Sequence, residues 1–93
     1  MCVIVFSARA DKALRKYRKS GRFPHEKFQT ALTHLRAGKP LPQSFRDHQL
    51  KGDLSIFREL HLADDVLVQY RRNDELRVVV VDKIGTHTEL FGE

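Results

Sequence analysis

Ninety-three residues, 41% of them hydrophobic and 31% charged, describe one folded domain with a single modest core and exclude a disordered chain. The net charge of +5 and pI near 9.7 favour a polyanionic partner, because clustered lysine and arginine displace counterions condensed on nucleic acid; an acidic protein fits the charge equally well. The apolar runs, such as Val78 to Val81, are far too short to cross a bilayer, and "MCVIVFSARADK" has neither the basic segment nor the cleavage site of a secretory signal, so no membrane partner and a cytoplasmic location are expected.

The single cysteine, Cys2, has no internal disulfide partner. It opens "CVIVF", Cys2 to Phe6, a continuously apolar and β-branched run that predicts a buried first strand. Ser7 offers a capping hydroxyl for a helix from about Ala8 to Ser20, in which Ala10, Ala13, Leu14 and Tyr17 recur at helical spacing and Gly21 supplies the stop. The opposite face of that helix is basic, with Lys12, Arg15, Lys16, Arg18 and Lys19. A second helix begins near Pro24, presents Phe28, Ala31, Leu32 and Leu35 on one face, and ends at Gly38.

The stretch "GKPLPQSFRDHQLKGD" carries two prolines and two glycines and predicts a surface loop. Three strand candidates follow, Leu54 to His61, Asp65 to Arg71 and Leu76 to Ile84. Their connections, "LAD" and a turn around "RNDE", are short enough for antiparallel hairpins. The order strand, two helices, three strands gives an α+β domain, with a helical hairpin packed on a largely antiparallel sheet.

A turn at Leu62 to Asp64 places His61 opposite Asp65, with Cβ atoms roughly 5 Å apart. A second turn centred on Asn73 and Asp74 sets Asp65 across from about Asp82, so the residues after Ile84 emerge beside His61 and Asp65. That brings His87 to the same end of the sheet; pairing alone does not require the loop-borne His48 to join it. Two imidazoles beside a carboxylate can take a proton from one oxygen and give one to another. Such a site suits metal-free RNA cleavage, in which the ribose 2′-hydroxyl attacks the adjacent phosphate and nearby cations stabilise the charged transition state. Phe91 can stack on a base, a contact of about 1 to 3 kcal/mol.

Each of these residues also has a plainer reading. Asp65 is a turn residue in that reading, Phe91 covers the sheet end, His25 and His34 lie on a helix surface, and the basic helix face is merely solvated. A zinc site needs closely spaced ligands, which no histidine pair here provides, and Cys2 is remote, so neither a metal nor another cofactor is expected. Glycine-rich phosphate loops, serine elbows and helix-turn-helix signals are absent.

Three segments in order, "FRDHQLKGD" (Phe45 to Asp53), "FRELHLADDVLVQY" (Phe57 to Tyr70) and "IGTHTELFG" (Ile84 to Gly92), resemble the YafQ branch of the RelE-like toxins, within the RelE/ParE superfamily. The resemblance rests on the D-H-x-L-x-G loop, the R-E-x-H strand, an aspartate four residues after that histidine, and the terminal G-T-H-x-x-L-F. It implies a RelE-like β-α-α-β-β-β fold and a ribosome-dependent endoribonuclease that cleaves messenger RNA under translation and is held inactive by a cognate antitoxin. Carried over by position, the functional residues are His48, His61, Asp65, His87 and Phe91; the resemblance is what brings in His48. The implied roles are His87 as general acid, Asp65 or His48 as general base, and His61 as a phosphate or transition-state contact. Lys51 and Arg58 are the nearest cations in sequence for phosphate binding, and the basic helix face is a surface for ribosomal RNA or antitoxin. Relatives often carry tryptophans just after the loop glycine and just after the aspartate, where this chain has Leu54 and Val66. The alternative reading is a non-catalytic superfamily member, a gyrase-blocking toxin or an RNA binder, which would not need the histidines.

Overall fold

Ser7 ends strand β1 (Val3–Phe6) and caps helix α1 (Ala8–Ser20) in the computed structural model, which describes residues 1–92. Its oxygen accepts from the Ala10 N–H at 3.1 Å while its hydroxyl donates to the Asp82 carbonyl at 2.6 Å. One side chain therefore starts the helix and ties it to the last strand. Gly21 closes α1 at φ 68°, and Gly38 closes helix α2 (His25–Ala37) at φ 72°, the left-handed conformation that costs glycine least.

The helical hairpin lays Ala10, Leu14, Phe28, Ala31, Leu32 and Leu35 against one face of a five-stranded sheet, and Phe23 fills the link between the helices. The other strands are β2 (His48–Gln49), β3 (Arg58–Ala63), β4 (Val66–Asn73) and β5 (Val78–Gly85), in the order β1-β5-β4-β3-β2. Only β1 runs parallel to its neighbour, β5; the other pairs are antiparallel. Leu60, Leu62, Val68, Tyr70, Val79, Val81 and Ile84 supply the sheet's half of the core. The expected α+β architecture is present, with a short strand and a terminal helix, α3 (His87–Phe91), in addition.

Four local expectations change. The first strand is not buried on both sides: Val3 is 62% and Val5 44% exposed, because β1 is an edge strand with helices on one face only, and Cys2 is half-buried. The strand expected from Leu54 starts at Arg58, because Gly52–Leu54 form a 3-10 turn with Gly52 at φ 65°. The expected loop contains β2 and another 3-10 turn at Gln43–Phe45, whose Phe45 is buried in the core.

The hairpin register also differs. Ala63 pairs with Val66 and His61 with Leu67 across a bulge, so Asp64 and Asp65 are the turn and Asp65 faces neither His61 nor Asp82 in the ladder. A two-residue turn fits the strand twist better than the three-residue turn read from sequence. In the next pair the register steps from Gln69↔Lys83 to Tyr70↔Val81, passing over Asp82.

Helix α3 was absent from the expected elements, although Thr86-x-x-Glu89 is a readable capping box. The Thr86 oxygen accepts from the Glu89 N–H, and the Glu89 carboxylate accepts from the Thr86 N–H. Gly85 lets this helix close onto the sheet: a Cβ there would lie 2.9 Å from Glu89 Oε1, 3.1 Å from Glu89 Cβ and 3.2 Å from Leu90 Cδ1. Gly85→Ala is therefore expected to push α3 outward at a cost of about 1 to 3 kcal/mol. Proteolytic nicking near residues 86 to 91 should then precede global unfolding; an unchanged cleavage pattern would show that the helix absorbs the methyl group.

Candidate functional site

Two groups of polar side chains sit along the sheet. The first is built by β2 and β3. Their pairing sets His48 directly across from Glu59, and strand alternation puts His61 on the same face as Glu59. The His48 and His61 rings stack with centroids 6.0 Å apart and planes 29° from parallel. Glu59 is only 6% exposed, and its Oε1 lies 3.4 Å from His61 Nε2. His48 Nδ1 meets the Arg46 carbonyl at 2.8 Å. That carbonyl can only accept, so Nδ1 carries the proton and Nε2 of the neutral ring keeps a lone pair.

His61 is held below the ordinary histidine pKa, first by burial, then by the Arg46 guanidinium, with His48 and Lys27 adding to the effect and Glu59 pulling the other way. Burial thus favours its neutral form. Among the described residues its Nδ1 is buried without a hydrogen-bond partner.

The second group lies where the β3–β4 turn meets the end of β5. Asp65 Oδ1 accepts from the His87 backbone N–H at 3.2 Å, which joins the turn to the first residue of α3. One helical turn on, the Phe91 ring lies 4.8 Å from the His87 ring. Glu89 fastens α3 to α1 by accepting from the Tyr17 hydroxyl at 2.9 Å and from Lys16 Nζ at 3.4 Å. Lys83 Nζ donates to the Leu90 carbonyl at 3.3 Å. The row His61↔Leu67↔Gly85 links the two groups, since α3 starts two residues beyond Gly85. Asp65 therefore meets His87 through a turn-to-helix backbone contact and not across a strand ladder.

Lys51 is exposed at the start of a 3-10 turn. Arg58 sits elsewhere: its Nε and terminal nitrogen donate to Asp47 Oδ2 at 3.1 and 2.9 Å, while Tyr70 donates to Oδ1 at 2.5 Å. That places Arg58 on the helix-covered face, anchoring the loop. The residue that sequence reasoning passed over is Glu59. Its signal was present in "FRELH", because a carboxylate two residues before a histidine on a strand shares that histidine's face.

Glu89 carries a pH prediction. The Thr86 backbone N–H first, then Tyr17 and Lys16, hold its carboxyl below the ordinary carboxylate pKa against the opposing effect of burial. A lowered folded-state value means that this stabilisation is complete above the unfolded value near 4.5 and is lost as pH falls through the lower folded one. Wild-type melting temperature should drop more steeply than that of Glu89→Gln as pH falls below about 4.5; parallel curves would remove Glu89 from the account. Tyr17, pushed up to about 12 by burial and then by Glu89, reports the same contact at the alkaline end.

Residues 2–92 match the family model described as bacterial toxin of type II toxin-antitoxin system, YafQ. An Escherichia coli protein named mRNA interferase toxin YafQ is 36% identical over 53 residues, 57% of this chain and 55% of that protein. The alignment thus spans about half the length of that curated relative. A metal-bound toxin from Helicobacter pylori superposes with a TM-score of 0.89 at 34% identity, covering 98% of this chain and all of that one. YafQ in the E. coli DinJ–YafQ complex gives 0.84 at 26% identity over 99% of this chain and all of that one. Its sheet order, its terminal helix and a family match over almost its whole length place this chain in the YafQ family of bacterial type II toxin–antitoxin toxins.

Proposed function

We propose that this protein is a ribosome-dependent endoribonuclease that cleaves messenger RNA under translation by metal-independent acid–base catalysis. The observation that carries the reading is the gathering of His48, Glu59 and His61 on one face of the sheet, with Asp65, His87 and Phe91 at the adjoining end. The name borne by the E. coli relative, mRNA interferase, agrees with it.

In this mechanism the 2′-hydroxyl gives its proton to a base, attacks the adjacent phosphorus, and expels the 5′-oxygen, which takes a proton from His87. Asp65 or His48 is the base. His48 already has its Nδ1 proton committed to the Arg46 carbonyl, which leaves Nε2 to accept. His61 contacts the phosphate, with Glu59 orienting its ring. Phe91 stacks on a base, and Lys51 supplies positive charge to the strand. The basic face of α1, with Lys12, Arg15, Lys16 and Lys19, meets ribosomal RNA. A cognate antitoxin keeps the protein silent in the bacterial cytoplasm, as the E. coli DinJ–YafQ complex suggests by likeness. Among the described residues no helix is long and apolar enough to cross a membrane.

Induction in a bacterial host tests the reading. Wild type should arrest growth and create new message ends inside translated frames, while His87→Ala should do neither. Equal toxicity from both chains, without new ends, would instead favour a non-catalytic toxin that acts by binding.

A further inference from the structure

We propose that Gln69 is a positioning residue for His61: its side-chain amide pairs with His61 Nδ1 and holds the ring with Nε2 directed at Glu59 and the scissile phosphate. The pairing stands on the arrangement of β3 and β4; its effect on cleavage rests on the ribonuclease reading above.

Gln69 interrupts the apolar run of β4, "VLVQY", and is only 1% exposed. A central strand position so deeply covered ordinarily carries valine or leucine. Ladder partners share a face, and Gln69 pairs with Glu59 on one side and Lys83 on the other. It therefore lies on the face that bears the histidines. Both partners are directed elsewhere: Glu59 Oε1 lies 3.4 Å from His61 Nε2, and Lys83 Nζ donates to the Leu90 carbonyl at 3.3 Å. His61 pairs with Leu67, two residues before Gln69. It is thus the diagonal neighbour of Gln69, a separation of about 7 to 8 Å that a long side chain can span.

Among the described residues, the buried side-chain atoms without a hydrogen-bond partner are His61 Nδ1 and Gln69 Oε1. Buried polar groups are nearly always hydrogen-bonded, and here the exceptions fall on diagonal neighbours of one face. The terminal torsion of a glutamine is broad, so turning the amide toward the ring costs little.

An amide suits this ring in both of its protonation states. The Glu59 carboxylate only accepts, so the Nε2 that faces it carries a proton and the neutral ring keeps its lone pair at Nδ1. The Gln69 NH₂ group donates to that lone pair. When the ring is an imidazolium, a half-turn of the amide presents its oxygen to the Nδ1 proton instead. Glu59, His48, Arg46 and Lys27 all act on the charge of His61; Gln69 adds orientation without adding charge.

The test uses the full chain with ¹⁵N-labelled histidine, as wild type and as Gln69→Met, which keeps length and removes both hydrogen-bonding groups. In wild type the His61 resonances should show a proton on Nε2 and a hydrogen-bonded Nδ1. In Gln69→Met the Nδ1 resonance should move and the pH at which the ring titrates should shift, while the melting temperature holds. Gln69→Leu repeats the measurement with a different shape, so that a packing defect peculiar to one variant cannot imitate the result. Single-turnover cleavage should fall about 10- to 100-fold with KM little changed, the scale of a slightly misplaced group. Placed on His61→Ala, Gln69→Met should cost nothing further. Unchanged His61 resonances in both variants overturn the pairing whatever the RNA assay gives. Shifted resonances with wild-type cleavage, or an equal loss on the His61→Ala background, overturn the positioning role. A wild-type chain that cuts no RNA removes the ribonuclease reading, and the resonances alone then decide the pairing.

Discussion

Replacing His87 by glutamine is expected to lower the rate of message cleavage by about 10² to 10⁴-fold, the usual contribution of a positioned proton donor. The fold should survive. The link between α3 and the hairpin turn includes the bond from the His87 backbone N–H to the Asp65 carboxylate, which the substitution leaves in place, and glutamine keeps an extended polar side chain on the same helical turn as Phe91. Single-turnover cleavage on message-programmed ribosomes isolates the chemical step. Asp65→Ala provides the contrast, because it removes the turn's grip on α3 and should loosen the helix as well as slow cleavage. Retention of near wild-type cleavage by His87→Gln would remove this residue from the chemistry and pass the acid role to another group.

What could be read from the chain follows the range of the forces involved. Helices α1 and α2 were legible to within a residue, because Ser7, Gly21 and Gly38 act on their immediate neighbours and the apolar stripe has its own period. The register of β3 against β4 was not, since a bulge between His61 and Ala63 shifts the pairing without leaving a mark in residue type. His48 illustrates the same limit. Its approach to His61 depends on β2, a strand of only two residues inside a segment that reads as loop, so a family resemblance and not periodicity brought it in. Glu59 was visible but carried no weight, because a carboxylate on a strand signals function only once its burial beside a histidine is known. The same dependence on burial explains Arg58: charge nominated it for phosphate, and packing gave it to Asp47.

The Asp47→Ala substitution should cause the largest loss of stability, about 2 to 4 kcal/mol out of the roughly 5 to 15 that a domain of this size possesses. Asp47 serves two donors at once, Arg58 through Oδ2 and the Tyr70 hydroxyl through Oδ1. Tyr70 is only 1% exposed, and burial followed by the Asp47 bond pushes its phenol well above the ordinary tyrosine range. Removing the carboxylate leaves that hydroxyl buried without an acceptor, which costs about 1 to 3 kcal/mol. Arg58, with a side chain 38% exposed, can turn to water and adds less. The melting temperature should fall by about 10 to 25 °C, since each kcal/mol shifts a domain of this length by about 4 to 8 °C. Tyr70→Phe removes donor and need together and should cost nearer 1 kcal/mol. The double substitution should then cost less than the sum, because Asp47 and Tyr70 share one contact. Equal and additive losses, or an Asp47→Ala loss below about 0.5 kcal/mol, would show that the carboxylate is solvated rather than anchoring. Asp47 immediately precedes His48, so its loss should also slacken β2 and depress cleavage beyond what the stability change predicts. Measuring the rate well below the new melting temperature separates the two, because a purely global effect disappears where the variant is fully folded.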